Sequence, residues 1–418
     1  MEFPIGQEFL ILYGPNGVGK TKTLEIISAL LRCDAIKISS IPFSRARVLM
    51  SDGLSITAHR RRRRDNDVVD FTISRSGESL HEWEYMPERE QMQRRDSEAE
   101  FWNSPSPGIW VDERDGEILE EDEFIARYPF YRGAIVPEPF KEFVGQVEVT
   151  LIETQRLLSR RRDTRARRRL PEGLGDAAVS RYSHDLRNRL RSALASNSRA
   201  TARLDRSFPR RILRTPSEVT ISEDEIRARH VALNEKRARL ANFSLIMPEA
   251  EVNLPRRELK DWETVVLGTY IEDTESKLQT FDDLLERLEL LVDIINSRFL
   301  RKRIEVSLDE GLRIQTTGGE RIRPEELSSG EQHELIMFYD LIFNVAAGGL
   351  VLIDEPEISL HVSWQRRFLD DILRVANITS ARIIVATHSP MILGKWRSYT
   401  VEMGPSFGEL EDGRGVRR

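Results

Sequence analysis

Glycine, lysine and threonine residues near the N-terminus have the types and spacing that bind nucleotide phosphates. The pattern Gly-x4-Gly-Lys-Thr spans residues 14–21, after a short apolar segment and before one of helical periodicity. Glycines in such a turn let backbone N–H groups converge on phosphate oxygens, and the following helix N-terminus adds partial positive charge. Lys20 is therefore predicted to reach the β- and γ-phosphates, and Thr21 to hold Mg²⁺ through its hydroxyl. The predicted nucleotide-binding residues of this loop are Gly14, Pro15, Asn16, Gly17, Val18, Gly19, Lys20, Thr21 and Lys22.

Two later apolar segments end in residues suited to hydrolysis. Residues 350–353 run directly into Asp354 and Glu355, and residues 383–386 end close to His388. A buried strand that ends in two carboxylates lets Asp354 bind Mg²⁺ and Glu355 polarise the attacking water. A neutral imidazole at His388 could contact the γ-phosphate or hold that water. The alternatives are an ordinary turn at the carboxylates and a strand-capping role for the histidine.

A glutamine follows another predicted strand, which ends at Ile152. Gln155 could complete the Mg²⁺ coordination shell and couple this strand to the segment that follows it. A solvated surface glutamine is the other interpretation.

Composition limits the class of protein. Charged residues make up 32% of the 418 residues, the net charge is −6, and no apolar run approaches the roughly 20 residues of a membrane span. The only cysteine, Cys33, excludes an internal disulfide framework, and its position favours a packed core thiol over a redox switch. Without a signal-peptide pattern, these features predict a cytoplasmic protein without a membrane partner.

The chain divides into two halves of one α/β head with a charged helical arm between them. Alternating segments over 46–85 predict antiparallel strands, and the acidic, proline-containing stretch 86–130 indicates a surface insertion. The predicted fold is α/β, a P-loop NTPase head with a mixed sheet flanked by helices, an antiparallel β subdomain and an inserted helical arm. Its predicted parts are the N-terminal head half 1–155, the arm 156–300, the C-terminal head half 301–403 and a disordered tail 404–418.

One helix is predicted over about 257–300, because apolar residues there recur at alternating spacings of three and four. That spacing is typical of the seam of a short coiled coil. A packed helix in a compact bundle is the alternative. The seam residues are Leu278, Phe281, Leu285, Leu288, Val292, Ile295 and Phe299.

Two basic runs raise the question of nucleic acid. They are Arg60–Arg64 and Arg160–Arg169. Such runs could bind DNA without sequence preference and with strong salt dependence, but no aromatic residues interleave with them to stack on bases. A solvated basic loop and a docking site for an acidic partner remain as alternatives.

The order of these motifs resembles the ABC-type ATPase heads of the SMC, RecF and OLD-like group, including compact bacterial AAA/ABC-like ATPases of DNA repair and anti-phage defence. The resemblance includes a signature segment, Leu327-Ser-Ser-Gly-Glu331, in which transporter subunits usually have glutamine at the last position. It implies a homodimer that sandwiches ATP, with the partner's signature residues on each γ-phosphate and Ser359 to His361 at the dimer seam. The signature residues implied to contact nucleotide are Ser328, Gly330 and Glu331.

The resemblance implies an ATPase that forms ADP and phosphate and acts as a switch or clamp on DNA or on an effector protein. OLD-type nucleases add a toprim nuclease domain, for which this chain has no matching carboxylate cluster, so a nuclease-type effector would be a separate protein. The alternatives are an energy-coupling ATPase of a transporter and a slowly hydrolysing scaffold.

Overall fold

The structure, a computed structural model, describes most of the chain and divides it into two compact units. The sheet unit comprises residues 1–159 and 345–418, and the helical unit comprises residues 160–344. The described segments are 9–63, 66–86, 102–106, 109–112, 116–120, 123–124, 127, 136–153, 177–214, 221–247, 254–323, 326–360 and 362–404.

Strands and helices are numbered in chain order. The strands are β1 (Phe9–Tyr13), β2 (Arg45–Leu49), β3 (Leu54–Arg63), β4 (Asn66–Arg75), β5 (Glu78–Tyr85), β6 (Trp102–Ser106), β7 (Ile109–Asp112), β8 (Ile118–Glu120), β9 (Val149–Glu153), β10 (Lys302–Ser307), β11 (Gly311–Thr316), β12 (Arg321–Ile322), β13 (Leu350–Asp354), β14 (Arg382–Thr387) and β15 (Thr400–Glu402). The helices are α1 (Lys20–Leu31), α2 (Ala35–Ser39), α3 (Glu138–Val144), α4 (Ala177–Arg214), α5 (Glu223–Asn242), α6 (Asp261–Gln279), α7 (Asp282–Arg298), α8 (Ser329–Tyr339), α9 (Val362–Thr379) and α10 (Pro390–Leu393). Short 3₁₀ segments lie at Pro356–Ser359 and Arg397–Tyr399, and a π-helical turn lies at Asp340–Asn344.

The central sheet of the sheet unit has the order β15-β1-β14-β13-β9, and each neighbouring pair is parallel. Parallel strands covered on both faces need continuous apolar runs, which explains why β1 and β13 are buried at every position. The α/β fold is confirmed, and the described antiparallel strands lie in separate sheets.

Helix α1 packs its apolar side against this sheet and contributes Leu24 and Leu30 to the core. Cys33 lies in the same core and is fully buried, as predicted. Burial, with Asp34 beside it, raises the pKa of the Cys33 thiol to about 12. A thiol with that pKa is an inert packing group at neutral pH.

Antiparallel strands predicted over 46–85 are present as the sheet β2-β3-β4-β5, in which Phe71 stacks on Trp83 at 4.8 Å between ring centroids. The predicted surface insertion contains a second antiparallel sheet, β6-β7-β8. There the fully buried Phe124 stacks on Trp110, with 3.8 Å between centroids. The insertion therefore has an aromatic core of its own.

In the helical unit, the prediction of one continuous helix from the seam pattern is wrong: α6 and α7 are separate helices. The carbonyl of Lys277 accepts hydrogen bonds from the Asn197 side chain at 2.7 Å and from the Thr280 hydroxyl at 2.8 Å. The N–H of Phe281 therefore donates to the carbonyl of Leu278, at 3.1 Å, and not to that of Lys277. This tight turn ends α6.

The C-terminal part of the seam packs inside the helical unit, because α7 contacts β10, α8 and the π-helical turn. This packing favours the bundle alternative for α7. The helical unit extends to residue 344 and so includes the signature segment and residues from 301 onward, which the sequence assigned to the C-terminal head half. Within the segments given above, no helix has both the length and the apolarity that a membrane crossing requires.

Candidate nucleotide site

The phosphate loop joins β1 to α1, as the sequence predicts. Gly17 and Gly19 have φ angles of +86° and +97°, which only glycine adopts readily. Among the described residues, a Cβ atom at either position would meet no other atom within 4 Å, so this part of the structure leaves open space above the two backbone groups. Gly14 differs, because a Cβ there would lie 2.2 Å from the carbonyl oxygen of Met403.

Lys20 is held at the centre of the loop. Its Nζ atom donates to the carbonyl oxygens of Gly14 at 2.8 Å and Pro15 at 3.0 Å, and the residue is 4% exposed. A buried ammonium needs such partners, and oxygens of a bound phosphate are stronger ones. The amine is thus positioned where an anion in the loop could take it over.

Helix α1 begins at this loop with no acidic residue in its first turn, so the partial positive charge of its N-terminus is not neutralised there. Thr21 is half-buried in that turn. Lys22, the last predicted loop residue, pairs with Glu25 at 2.6 Å. Burial by itself would raise the pKa of Glu25, but hydrogen bonds from Lys22 and Lys37 outweigh it and lower that pKa.

The parallel register brings the other predicted residues to the same edge of the sheet. Tyr13, the last residue of β1, pairs with Thr387, and Ala386 pairs with Asp354, the last residue of β13. The carboxyl ends of these three strands are therefore level. The phosphate loop, the Asp354-Glu355 pair and His388 all leave the sheet at this edge.

The backbone at Glu355 is in the left-handed region, with φ 44° and ψ 56°. Non-glycine residues seldom adopt this conformation, and it concentrates at functional sites. The Glu355 N–H donates to the carbonyl of Ala386 at 2.9 Å, which fixes the turn against β14. One consequence is that the Glu355 carboxylate approaches His388, with 3.8 Å between Oε1 and Nδ1.

A second glutamate, Glu357, is a residue that sequence reasoning missed. Its Oε1 atom accepts from the Thr387 hydroxyl and from the His388 N–H, each at 2.8 Å, and lies 3.0 Å from His388 Nδ1. Gln365 of α9 accepts from the Ser389 hydroxyl at 2.8 Å. The available signal was a third carboxylate in the proline turn directly after the predicted catalytic pair.

The Mg²⁺ prediction can be compared with the oxygen donors at this edge. In the described part of the chain, no group of three or more His, Cys, Asp or Glu residues could hold a metal ion. Mg²⁺ does not need such a group, because it is usually bound by one or two carboxylates together with water and substrate phosphates. The half-buried Thr21 and the buried Asp354 carboxylate supply suitable oxygens. The residues present therefore fit this ion.

The signature segment lies in the helical unit, at the start of α8. Ser328 is the exposed N-cap, and its N–H donates to Glu331 Oε2 at 2.7 Å. Lys302 donates to the same oxygen at 2.8 Å. Burial alone would raise the pKa of Glu331, but these hydrogen bonds outweigh it and lower the pKa. Glu331 thus forms a capping box that orders Ser328 and Gly330.

Three arginines in the described part of the first arginine run form ion pairs with carboxylates of their own sheet. Arg61 pairs with Asp70 and Glu84, Arg63 pairs with Glu84 at 3.4 Å, and Arg60 approaches Asp67 at 3.9 Å. These cross-strand pairs leave less free positive charge than the sequence suggests.

Several predicted residues fall outside the described residues, or their side chains do. They are Gln155, Arg64, Arg160–Arg169, His361, the side chain of Ser359 and residues 405–418 of the predicted tail.

A phosphate loop after the first strand of a parallel sheet, with an acidic strand end two strands away, defines a P-loop NTPase fold. A family model described as "AAA domain, putative AbiEii toxin, Type IV TA system" matches residues 169–394, more than half of the chain. The protein belongs to this family of AAA-type ATPase domains.

Solved structures and curated proteins add little to this assignment. One matching structure is a crystal structure of an SMC head bound to the C-terminal winged-helix domain of ScpA. It is 12% identical, the match covers 96% of this chain and 88% of that one, and the TM-score of 0.33 is too low to carry a conclusion. No curated protein matches the sequence.

Proposed function

We propose that the protein hydrolyses ATP to ADP and phosphate and acts as an ATP-dependent switch or clamp. The observation that carries this proposal is the convergence of the phosphate loop, Asp354-Glu355 and His388 at one edge of the parallel sheet. P-loop ATPases need these components together, because phosphoryl transfer depends on positioning and on electrostatic stabilisation.

Each residue has a proposed role. Lys20 leaves the loop carbonyls and binds the β- and γ-phosphates. Thr21 and Asp354 would hold Mg²⁺, which neutralises phosphate charge when bound. Glu355 orients and polarises the attacking water, for which its position beside His388 is suitable. His388 contacts the γ-phosphate or that water.

The switch would operate through a homodimer. Ser328 and Gly330 stand at the N-terminus of α8, whose first N–H groups favour a negatively charged ligand. The resemblance to ABC-type heads assigns them to the γ-phosphate bound by a second copy. ATP would bridge the two copies, and hydrolysis would release them.

The dimer would be sensed by a separately encoded effector protein. The family description names a toxin of a type IV toxin–antitoxin system, which favours the defence alternative over DNA repair. DNA binding, if it contributes, would depend on Arg160–Arg169, because carboxylates of β4 and β5 pair with three arginines of the other run.

The test combines phosphate release with light scattering. We expect Glu355→Gln to lower kcat by about 10²–10⁴-fold, the usual contribution of a general base, and to accumulate as a dimer in ATP. Lys20→Ala is the matched control, and we expect it to remain monomeric because it lacks the phosphate contact.

The two halves of the proposal can fail separately. Wild-type protein that releases phosphate no faster than Glu355→Gln would refute the hydrolase. Hydrolysis by the wild type, without an ATP-dependent change of mass in Glu355→Gln, would refute the sandwich dimer.

A further inference from the structure

We propose that Glu357 is the positioning residue of His388: its carboxylate fixes the ring through Nδ1, so that Nε2 is the nitrogen presented to the nucleotide. This inference rests on the role of His388 in the proposed hydrolysis. It adds a residue to which neither the sequence motifs nor the family description assigns a role.

Glu357 is fixed to the same loop that carries the histidine. Its Oε1 accepts from the hydroxyl of Thr387 and the N–H of His388, both at 2.8 Å, while the 3₁₀ segment holds its backbone. Any movement of the His388 backbone therefore carries the carboxylate with it. The distance between Oε1 and Nδ1, 3.0 Å, is consequently set by hydrogen bonds that join the segment after β13 to Thr387 and His388.

Unpaired polar atoms in this region indicate that Nδ1 of His388 is the missing hydrogen-bond partner of the Glu357 carboxylate. Glu357 is 8% exposed, and among the described residues its buried Oε2 atom has no hydrogen-bond partner. Nδ1 of His388 is also buried and makes no hydrogen bond within the described part of the chain, although it lies 3.0 Å from Oε1. Buried polar atoms left unpaired are costly and rare. A small rotation of the imidazole would pair Nδ1–H with the carboxylate, as catalytic hydrogen bonds often tighten when substrate binds.

The exposure of the ring fits this assignment. The His388 side chain is 39% exposed although Nδ1 is buried, so the exposed part belongs to the rest of the ring, which includes Nε2. The hydrogen bond made by one imidazole nitrogen determines which nitrogen carries the proton. A carboxylate only accepts, so Glu357 selects the Nδ1–H form and leaves Nε2 facing outward.

A purely structural role for Glu357 is the competing explanation. In that case Glu357 would only brace the loop through Thr387, and the state of the ring would not depend on it. Thr387→Val separates the two explanations, because it removes one bond to Oε1 and leaves the approach to Nδ1 intact.

The first experiment is ¹⁵N NMR of histidine-labelled full-length protein at pH 8, with His388→Asn to assign the His388 signals. We expect Nδ1 of His388 to be protonated in the wild type and in Thr387→Val, and the Nε2–H form to gain population in Glu357→Ala. Glu25→Gln, another buried carboxylate of the sheet unit, is the control and should leave the signals unchanged. Wild-type protein with only Nε2 protonated would overturn the proposal, whether or not the variants fold.

The second experiment is a double-mutant cycle on kcat. We expect Glu357→Ala to lower kcat by about 10²-fold through misplacement of the ring, and to have no further effect in a His388→Ala background. Additive losses in the double variant would show that Glu357 does not act through His388. A wild type without ATPase activity would refute the proposed function, while the NMR result would still decide the assignment of Glu357.

Discussion

Replacing Arg298 by methionine should destabilise the helical unit strongly, through the charge left behind on Glu334. Arg298 ends α7 and donates from Nη1 to Glu334 Oε1 of α8 at 2.9 Å. The two side chains are 2% and 0% exposed. The guanidinium also lies 4.5 Å from the ring centroid of Phe338. This buried pair fixes the signature helix to its neighbour.

The magnitude follows from comparing the interactions lost. A cation–π contact contributes about 1–2 kcal/mol, whereas leaving a buried charge without its partner costs about 3–5 kcal/mol. Loss of the buried Arg298–Glu334 ion pair is therefore the dominant effect. For a unit of this size, that free energy corresponds to a decrease in melting temperature of roughly 6–20 °C. In Arg298→Met/Glu334→Leu neither charge remains, so most of the stability should return.

Thermal unfolding followed by far-UV circular dichroism is the suitable assay, because α4 to α8 dominate the signal of the helical unit. Arg239→Met is the matched control: Arg239 pairs with Glu289 at 2.6 Å, but the two side chains are 52% and 34% exposed. Such a surface pair contributes at most about 1 kcal/mol. A double variant as unstable as Arg298→Met alone would refute the reasoning and attribute the loss to packing of the arginine stem.

Two further predictions concern the phosphate loop and the signature segment. Gly14→Ala should lower the free energy of unfolding by about 1–3 kcal/mol and weaken ATP binding, because its Cβ would meet the Met403 carbonyl at 2.2 Å. Thermal melting and nucleotide titration measure the two effects. Gly145→Ala is the control: the nearest neighbour of its Cβ would lie at 3.7 Å, so neither measurement should change. Glu331 has a pKa lowered from 4.5, so its ionised form stabilises the fold above that pH, and the benefit is lost as the pH falls through the lowered pKa. The stability advantage of wild type over Glu331→Gln in urea titrations should therefore be full at pH 7 and shrink below pH 4.5, and an advantage that grows on acidification would contradict it.

The sequence was most informative where local pattern and chemistry coincide. The apolar runs at β1, β13 and β14 predicted buried strands, because a parallel sheet covered on both faces accepts little else. The residues that follow these strands were then expected to lie close together, since parallel strands present their carboxyl ends at one edge of the sheet. The α/β class and the main catalytic candidates therefore followed from periodicity and motif spacing alone.

The remainder depended on contacts between distant segments. The spacing of seam residues could not show that Asn197 takes the carbonyl of Lys277 and ends α6. In the sequence, Glu357 has the pattern of an ordinary polar turn residue. Its hydrogen bonds with Thr387 and His388 follow only from the pairing of β14 with β13, which the sequence does not show. Likewise, three carboxylates on β4 and β5 form ion pairs with three arginines of β3, which a linear charge count does not reveal.

The position of β1 between β14 and β15 has a consequence for synthesis of the chain. Phe9–Tyr13 pairs with residues 383–387 and 400–402, so the first described strand has no neighbours until more than 370 further residues have been synthesised. At about 5–20 residues per second on the ribosome, this wait lasts roughly 20–80 s. During that interval β1 is an apolar strand with two unpaired edges, which are prone to aggregation. The phosphate loop also lacks its backing from Met403, so a nascent chain has no complete nucleotide site until residue 403 has been synthesised.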